Sequence, residues 1–269
     1  MNLWHYSLRL AKEVAISFDA RRTLLVPGDR EASINFAVHH LVQLANFCIA
    51  SQGYFSIAFC GGSTPIPLIQ QLTRPPYLHA TDWEKWYLFW SDERNVPHTS
   101  SESNFGEAWR AGLHTVKTLR EGQYFPMPVG DHLDEQALLY EECIRSTCGT
   151  VDVVMLGMGT DGHTASLFPC TAALEEHKRW VVANYVPALK KERLTLTFPG
   201  IAAARLVCVY VFGEAKHPAL QKVLHPSPLE PLLPAARLGS QEKPVLFFLD
   251  RAAYAGISAS KELRAVVSS

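Results

Sequence analysis

The chain has 269 residues, 48% of them hydrophobic and 19% charged, a composition that supports a substantial core in one large or two smaller globular domains. A formal net charge of −1 provides no broad basic field, which argues against nucleic acid as a partner. No apolar run reaches bilayer length, and Arg9, Lys12 and Glu13 interrupt the stretch where a secretory signal needs a continuous apolar segment, so a cytoplasmic protein without a membrane partner is expected.

No element is assigned before Thr23. Residues 23–26 read as a strand, and 30–50 as a helix, because Ile34, Val38, Leu41, Val42 and Ala45 recur at helical spacing. A strand over 54–59 runs into Gly61, Gly62, Ser63 and Thr64, with a helix opening near Pro65. Such a turn aims N–H groups and hydroxyls at a helix start, where the dipole favours an anion, and this suits phosphate. The competing reading is a plain strand-to-helix turn with Ser63 or Thr64 as the N-cap.

The aromatic strand 86–90 ends at Asp92, Glu93 and Arg94. Three adjacent charges commonly mark a solvated edge. Here a long loop rich in Ser, Asn and Pro follows, and loops of that kind line sites. Arg94 has the fork to grip a phosphate, and Asp92 can accept hydrogen bonds from sugar hydroxyls. Helices are read over 104–113 and 132–147.

The most informative stretch is VDVVMLGMGTDGHTASLFP, Val151 to Pro169. An apolar strand over 151–156 reads as central in a covered parallel sheet, and ligands in open α/β sheets bind just past the carboxyl ends of such strands. Gly157, Gly159 and Gly162 let the backbone turn sharply, and Asp161 and His163 stand where the chain emerges. The three glycines also spell G-x-G-x-x-G, the dinucleotide fingerprint, but Pro169 leaves no room for the crossover helix and no acidic residue ends the next strand candidate, 180–184. A nicotinamide oxidoreductase is therefore kept only as a minor alternative.

Further strands are read over 180–183, 193–197, 206–212 and 245–249, with a helix over 214–224. Arg193 and Lys216 are additional cations, the latter at a strand-to-helix junction after Gly213 from which it can reach the same crevice. The proline-rich stretch 225–234 reads as a surface loop rather than a boundary. Six cysteines, at 48, 60, 143, 148, 170 and 208, form no C-x-x-C pair and lie mostly in apolar runs, so free buried thiols are expected instead of disulfides or a zinc site. The alternation implies a layered α/β chain, taken as a single domain over 1–269.

Taken together, these segments resemble the 6-phosphogluconolactonase family. The matching residues are Gly61-Gly62-Ser63-Thr64-Pro65, Asp92-Glu93-Arg94 with Val96-Pro97 and Ser103-Asn104, Gly157 through Pro169, and Arg193 to Thr197 with Gly213 to Lys216. The resemblance extends from about Thr23 to Ala253 and implies a Rossmann-like three-layer α/β/α fold with a mostly parallel sheet. Related glucosamine-6-phosphate deaminases resemble D-G-H-I-x-F-N-E-P and D-E-Y. This chain has Leu167 and Phe168 before Pro169, and Arg94 in place of the tyrosine, which favours the lactonase. It departs from the family at PGIAAAR, where Ala202 or Ala203 stands near an asparagine that, if it contacts substrate, would support affinity.

The function implied is hydrolysis of 6-phospho-D-glucono-1,5-lactone to 6-phosphogluconate without a cofactor or metal. In that reading neutral His163 is the general base, with the glycine-turn N–H groups available to the oxyanion. Asp92, placed with His163 in the catalytic set, orients the sugar or a cation, while Arg94, Lys216 and Arg193, with Gly61, Gly62 and Ser63, hold the phosphate. Asp161, Gly162 and Thr64 complete the site loops. The alternatives are an amino-sugar phosphate deaminase or isomerase and a non-catalytic sugar-phosphate binder.

Overall fold

The computed structural model describes residues 1–257. The single-domain reading over 1–269 extends past them, and residues 258–269 lie outside the described residues. The chain opens with α1 (Leu3–Ala11), capped by the Asn2 side chain, which accepts from the His5 N–H. β1 (Ala15–Asp19) then folds antiparallel onto β2 (Arg22–Leu25). Neither α1 nor β1 is among the elements expected from the sequence. α2 (Arg30–Gln52) starts at Asp29, whose carboxylate accepts from the Ala32 N–H, and stops at Gly53 with φ +88°.

The following elements are β3 (Phe55–Phe59), α3 (Pro65–Leu72), β4 (Trp86–Trp90), β5 (Asp92–Arg94), α4 (Asn104–Ala111), α5 (Leu133–Cys148) and β6 (Val153–Gly157). The chain continues through β7 (Val181–Val186), β8 (Lys191–Leu196), α6 (Phe198–Ala203), β9 (Leu206–Val211), α7 (His217–Leu224), β10 (Val245–Leu249) and α8 (Arg251–Tyr254). Among the described residues no helix is long and apolar enough to cross a membrane.

Seven strands form the main sheet in the order β1-β2-β10-β9-β6-β3-β4, parallel throughout except at β1. β3, β9 and β10 are buried along their whole length, as continuous apolar strands covered on both faces must be. α1 packs on α2, α2 on α3 and α3 on α4, giving a Rossmann-like α/β/α layering. From β3 the chain moves outward to β4, then returns to β6 on the other side of β3. The loops leaving β3 and β6 therefore diverge and open a crevice at the carboxyl ends of the strands.

The strands expected over 180–183 and 193–197 do not join that layer. They are β7 and β8, which form a second sheet with β5, antiparallel throughout, in the order β5-β8-β7. The reason is length: residues 187–190 alone connect β7 to β8, whereas a parallel crossover needs about a dozen residues or more. Smaller offsets have local causes. The strand expected from Val151 begins at Val153, because Asp152 is engaged by Ser56 and Arg205. The helix expected from Glu214 begins at His217, after a 3-10 turn over Glu214–Lys216.

Of the cysteines, Cys48, Cys60 and Cys208 are buried and Cys143 and Cys148 half-buried, but Cys170 is exposed, contrary to its reading as a buried thiol. The proline-rich stretch carries the exposed Leu229 and Leu232 and returns to the core through a 3-10 turn, Pro234–Arg237. Leu233 there packs under Gly162, and the Ala235 N–H donates to the Gly162 carbonyl at 3.0 Å.

Candidate active site

A cleft of about 220 Å³ lies in the crevice, lined by Cys60 to Thr64 after β3, Asp92 and Arg94 from β5, Gly157, Met158, Gly159, His163 and Ala165 after β6, Arg193 from β8 and Lys216 after β9. A larger cavity of about 760 Å³ opens at the start of β9 and β10, the opposite end of the sheet. It is Ala202 and Ala203 that line this other cavity, so the asparagine expected there would stand away from the cleft. Convergent charge, not size, marks the smaller cleft as the candidate site.

Gly157 ends β6, and no helix follows the glycines: the turn closes instead with the Gly159 N–H donating to the His163 carbonyl at 2.9 Å. A Cβ on Gly159 would fall 2.1 Å from His163 Nδ1 and 2.5 Å from Asp161 Oδ1, so this position must be glycine for the side chains to sit as they do. Gly162 has φ +75°, a left-handed conformation that favours glycine. The N–H groups of Gly159 and Gly162 are both consumed inside the turn. Of the glycine-turn N–H groups expected to be available to an oxyanion, these two are therefore already paired.

His163 Nδ1 stands 2.5 Å from Asp161 Oδ1. A carboxylate at that nitrogen selects the Nδ1–H tautomer and leaves Nε2 with a free lone pair. Burial works to raise the Asp161 carboxyl, but the hydrogen bond and charge of His163 outweigh it and hold the group below its ordinary value. The imidazole also stacks on Phe168, with centroids 4.0 Å apart at 19°.

On the cleft's other wall Arg94 and Arg193 are register partners across β5 and β8. Like charges directly opposite each other destabilise an antiparallel pair. Arg193 is 9% exposed, and burial lowers it from the ordinary arginine value despite the nearby Asp92 carboxylate. Nε of both arginines is buried without a partner among the described residues. Such unmet donors beside a cleft are what an oxyanion of the phosphate type would satisfy.

Lys216 Nζ donates to the Met158 carbonyl at 2.8 Å. Burial lowers this ammonium from its ordinary value, with the Asp161 charge pulling the other way. Opposite it, the N–H groups of Gly61, Gly62 and Ser63 donate to no acceptor among the described residues. Thr64 occupies the N-cap position of α3 but makes no capping hydrogen bond, so the plain capping role is not taken up. Gly61 is pressed against Asn104, whose Oδ1 would lie 1.7 Å from a Cβ there.

Asp92 and Glu93 are 4% and 1% exposed, so this charged triplet is no solvated edge. Glu93 accepts from the N–H groups of Arg94, Asn104 and Phe105 and from the Ser103 hydroxyl, and so closes the start of α4. Burial nevertheless pushes its carboxyl above the ordinary value. Asp92 accepts from Ser166 Oγ at 2.6 Å and from Asn104 Nδ2 at 3.2 Å, and Arg193 Nη1 lies 4.0 Å away.

Ser166 and Thr195 fall in the matching segments without a role of their own and Asn184 was not singled out, yet the three pin the loop after His163. Thr195 Oγ1 accepts from the Ser166 N–H at 3.1 Å, and Asn184 Nδ2 donates to the Ser166 carbonyl at 2.8 Å. The available signal was Ser166 itself, a polar residue amid an apolar run three positions past His163.

A family model described as glucosamine-6-phosphate isomerases/6-phosphogluconolactonase matches residues 28–247. The chain is 36% identical over 238 residues to a 6-phosphogluconolactonase of Chlamydia muridarum, covering 87% of this chain and 90% of that one. It is 33% identical over 247 residues to a probable chloroplastic 6-phosphogluconolactonase of Oryza sativa, covering 86% and 75%. Among solved structures, 6-phosphogluconolactonase from Trypanosoma cruzi superposes with a TM-score of 0.79 at 28% identity, covering 91% of this chain and 99% of that one. The structure from Thermotoga maritima gives 0.72 at 26% identity, with 86% and 100% covered. By sequence over most of its length and by fold, this chain belongs to the glucosamine-6-phosphate isomerase/6-phosphogluconolactonase family.

Proposed function

We propose that this chain hydrolyses 6-phospho-D-glucono-1,5-lactone to 6-phospho-D-gluconate, a step of the oxidative pentose phosphate pathway, in the cytoplasm and as a single catalytic unit. The observation that carries the reading is the Asp161–His163 pair facing two opposed arginines across one cleft.

In this mechanism Arg94, Arg193 and Lys216 hold the phosphate dianion, helped by the N–H groups of Gly61, Gly62 and Ser63 and by the Thr64 end of α3. Nε2 of neutral His163 takes a proton from water as its oxygen bonds to the lactone carbonyl carbon. Charge developing on the carbonyl oxygen is met by cleft donors outside the Gly157–Gly162 turn. The bond from that carbon to the ring oxygen then breaks, and the imidazolium returns the proton to the departing alkoxide. Asp161 steadies the imidazolium between these steps, as a carboxylate at Nδ1 does. Asp92, which holds Ser166 and lies beside Arg193, has acceptor capacity left to orient the sugar from the same wall.

The test is the disappearance of the lactone above its spontaneous hydrolysis, for wild type beside His163→Ala. Removing a positioned base is expected to lower the rate by about 10²–10⁴-fold with folding intact. Folded wild type giving no acceleration would sink the lactonase assignment, and an undiminished variant would exclude His163 as the base.

A further inference from the structure

Phe168 stands between the two halves of the site. One face of its ring stacks on the His163 imidazole, and the Arg193 guanidinium carbon lies 5.3 Å from its centroid. The ring is 8% exposed, and its neighbours Ser166 and Leu167 are completely buried. Its backbone is equally fixed: the Leu167 N–H donates to the Thr164 carbonyl at 2.9 Å, and Ser166 is tied to Thr195 and Asn184.

Both partners need such a support. The imidazole, 28% exposed, has a hydrogen bond at Nδ1 alone, which fixes one atom and leaves the tilt of the ring free. The Arg193 guanidinium reaches Ser166 Oγ only at 3.4 Å and the Asp92 carboxylate only at 4.0 Å, and its Nε has no partner among the described residues. A flat aromatic surface supplies what each lacks. Stacking sets the plane of the imidazole, and a guanidinium near the same ring is attracted by its quadrupole.

We infer that Phe168 is a positioning residue that holds the base and the phosphate-binding arginine in a common frame, so that anchoring the phosphate also places the carbonyl carbon in line with Nε2. This rests on the lactonase reading above. It predicts a double effect for a residue that touches neither water nor phosphate. Loss of the ring tilts the imidazole and loosens Arg193 together.

The experiment compares wild type, Phe168→Leu and Phe168→Tyr by lactone kinetics and by the Kd of 6-phosphogluconate, with the folded fraction of each measured by thermal melting. Phe168→Leu is expected to lower kcat per folded molecule by ~10²-fold, the scale of a misplacement of about 1 Å. It should also weaken 6-phosphogluconate several-fold, and Phe168→Tyr should restore both. Wild-type kcat and Kd per folded molecule in Phe168→Leu would overturn the inference, as would a loss confined to the folded fraction. If wild type itself gives no acceleration, the lactonase reading fails instead, and the Kd series then tests the Arg193 contact alone.

Discussion

Lys216 is held with its ammonium on the Met158 carbonyl, at the start of the loop after β6, out of full contact with water. Burial disfavours the charged form, so the group gives up its proton below its ordinary value of 10.5, although Asp161 moderates the effect. The sign follows: phosphate binding that uses this charge is complete near neutral pH and is lost as pH rises through the lowered value. A phosphate monoester is already fully ionised over that range. The affinity for 6-phosphogluconate, followed by calorimetry from about pH 7 upward, is therefore expected to fall earlier than an ordinary lysine would dictate. Lys216→Arg, which stays charged, should flatten the profile; a flat profile in wild type would mean that Lys216 does not hold the phosphate.

At the scale of elements, α1 docks on α2 with His40 Nε2 buried against Ser7, 2.9 Å from its Oγ and 3.4 Å from its carbonyl oxygen. Burial of His40 drives its pKa down to about 4, against the upward pull of Ser7. Because the folded value lies below the ordinary 6.5, the unfolded chain binds the extra proton. Stability is thus fully present above about pH 6.5 and declines as pH falls toward 4. The linkage is on the order of 3 kcal/mol. Urea unfolding at pH 7 and pH 4.5 should show a smaller acid loss in His40→Gln than in wild type, and equal losses would remove His40 from the account. The helices and strands between Arg30 and Leu249 were largely legible, because runs such as FSIAF and VLFFL must be buried strands. α1 and β1 were not, since they are short segments that are stabilised by packing on α2 and pairing with β2. β7 and β8 were legible as strands but not as a separate sheet, although the short link between them pointed to a hairpin.

At the scale of the whole molecule, the second sheet sets Arg94 opposite Arg193 on one wall of a cleft whose other lining comes from loops of the main sheet, and the cleft gathers positive charge. In the proposed function a bound dianion relieves the repulsion there, so ligand and fold are expected to stabilise each other. At 100 times its Kd, 6-phosphogluconate should add ~2.7 kcal/mol, or about 5 °C in Tm for a chain of this size. Gluconate without the phosphate should add little. Equal shifts from the two would show that the arginines do not select the phosphate.

The sequence by itself determined the strand-loop motifs and hence most of the residues that line the candidate cleft, because glycine turns after apolar strands, with charged or hydroxyl groups beyond them, are local patterns. Only the tertiary structure decided what those residues do to each other. The topological reversal at β3 and β6, and the second sheet that brings Arg193 opposite Arg94, place side chains from distant segments within contact. The same packing consumes the Gly159 and Gly162 N–H groups, buries Asp92 and Glu93, and slides Phe168 between His163 and Arg193. None of this is encoded in spacing along one strand, since burial and charge pairing arise only when separate segments share a volume from which water is excluded.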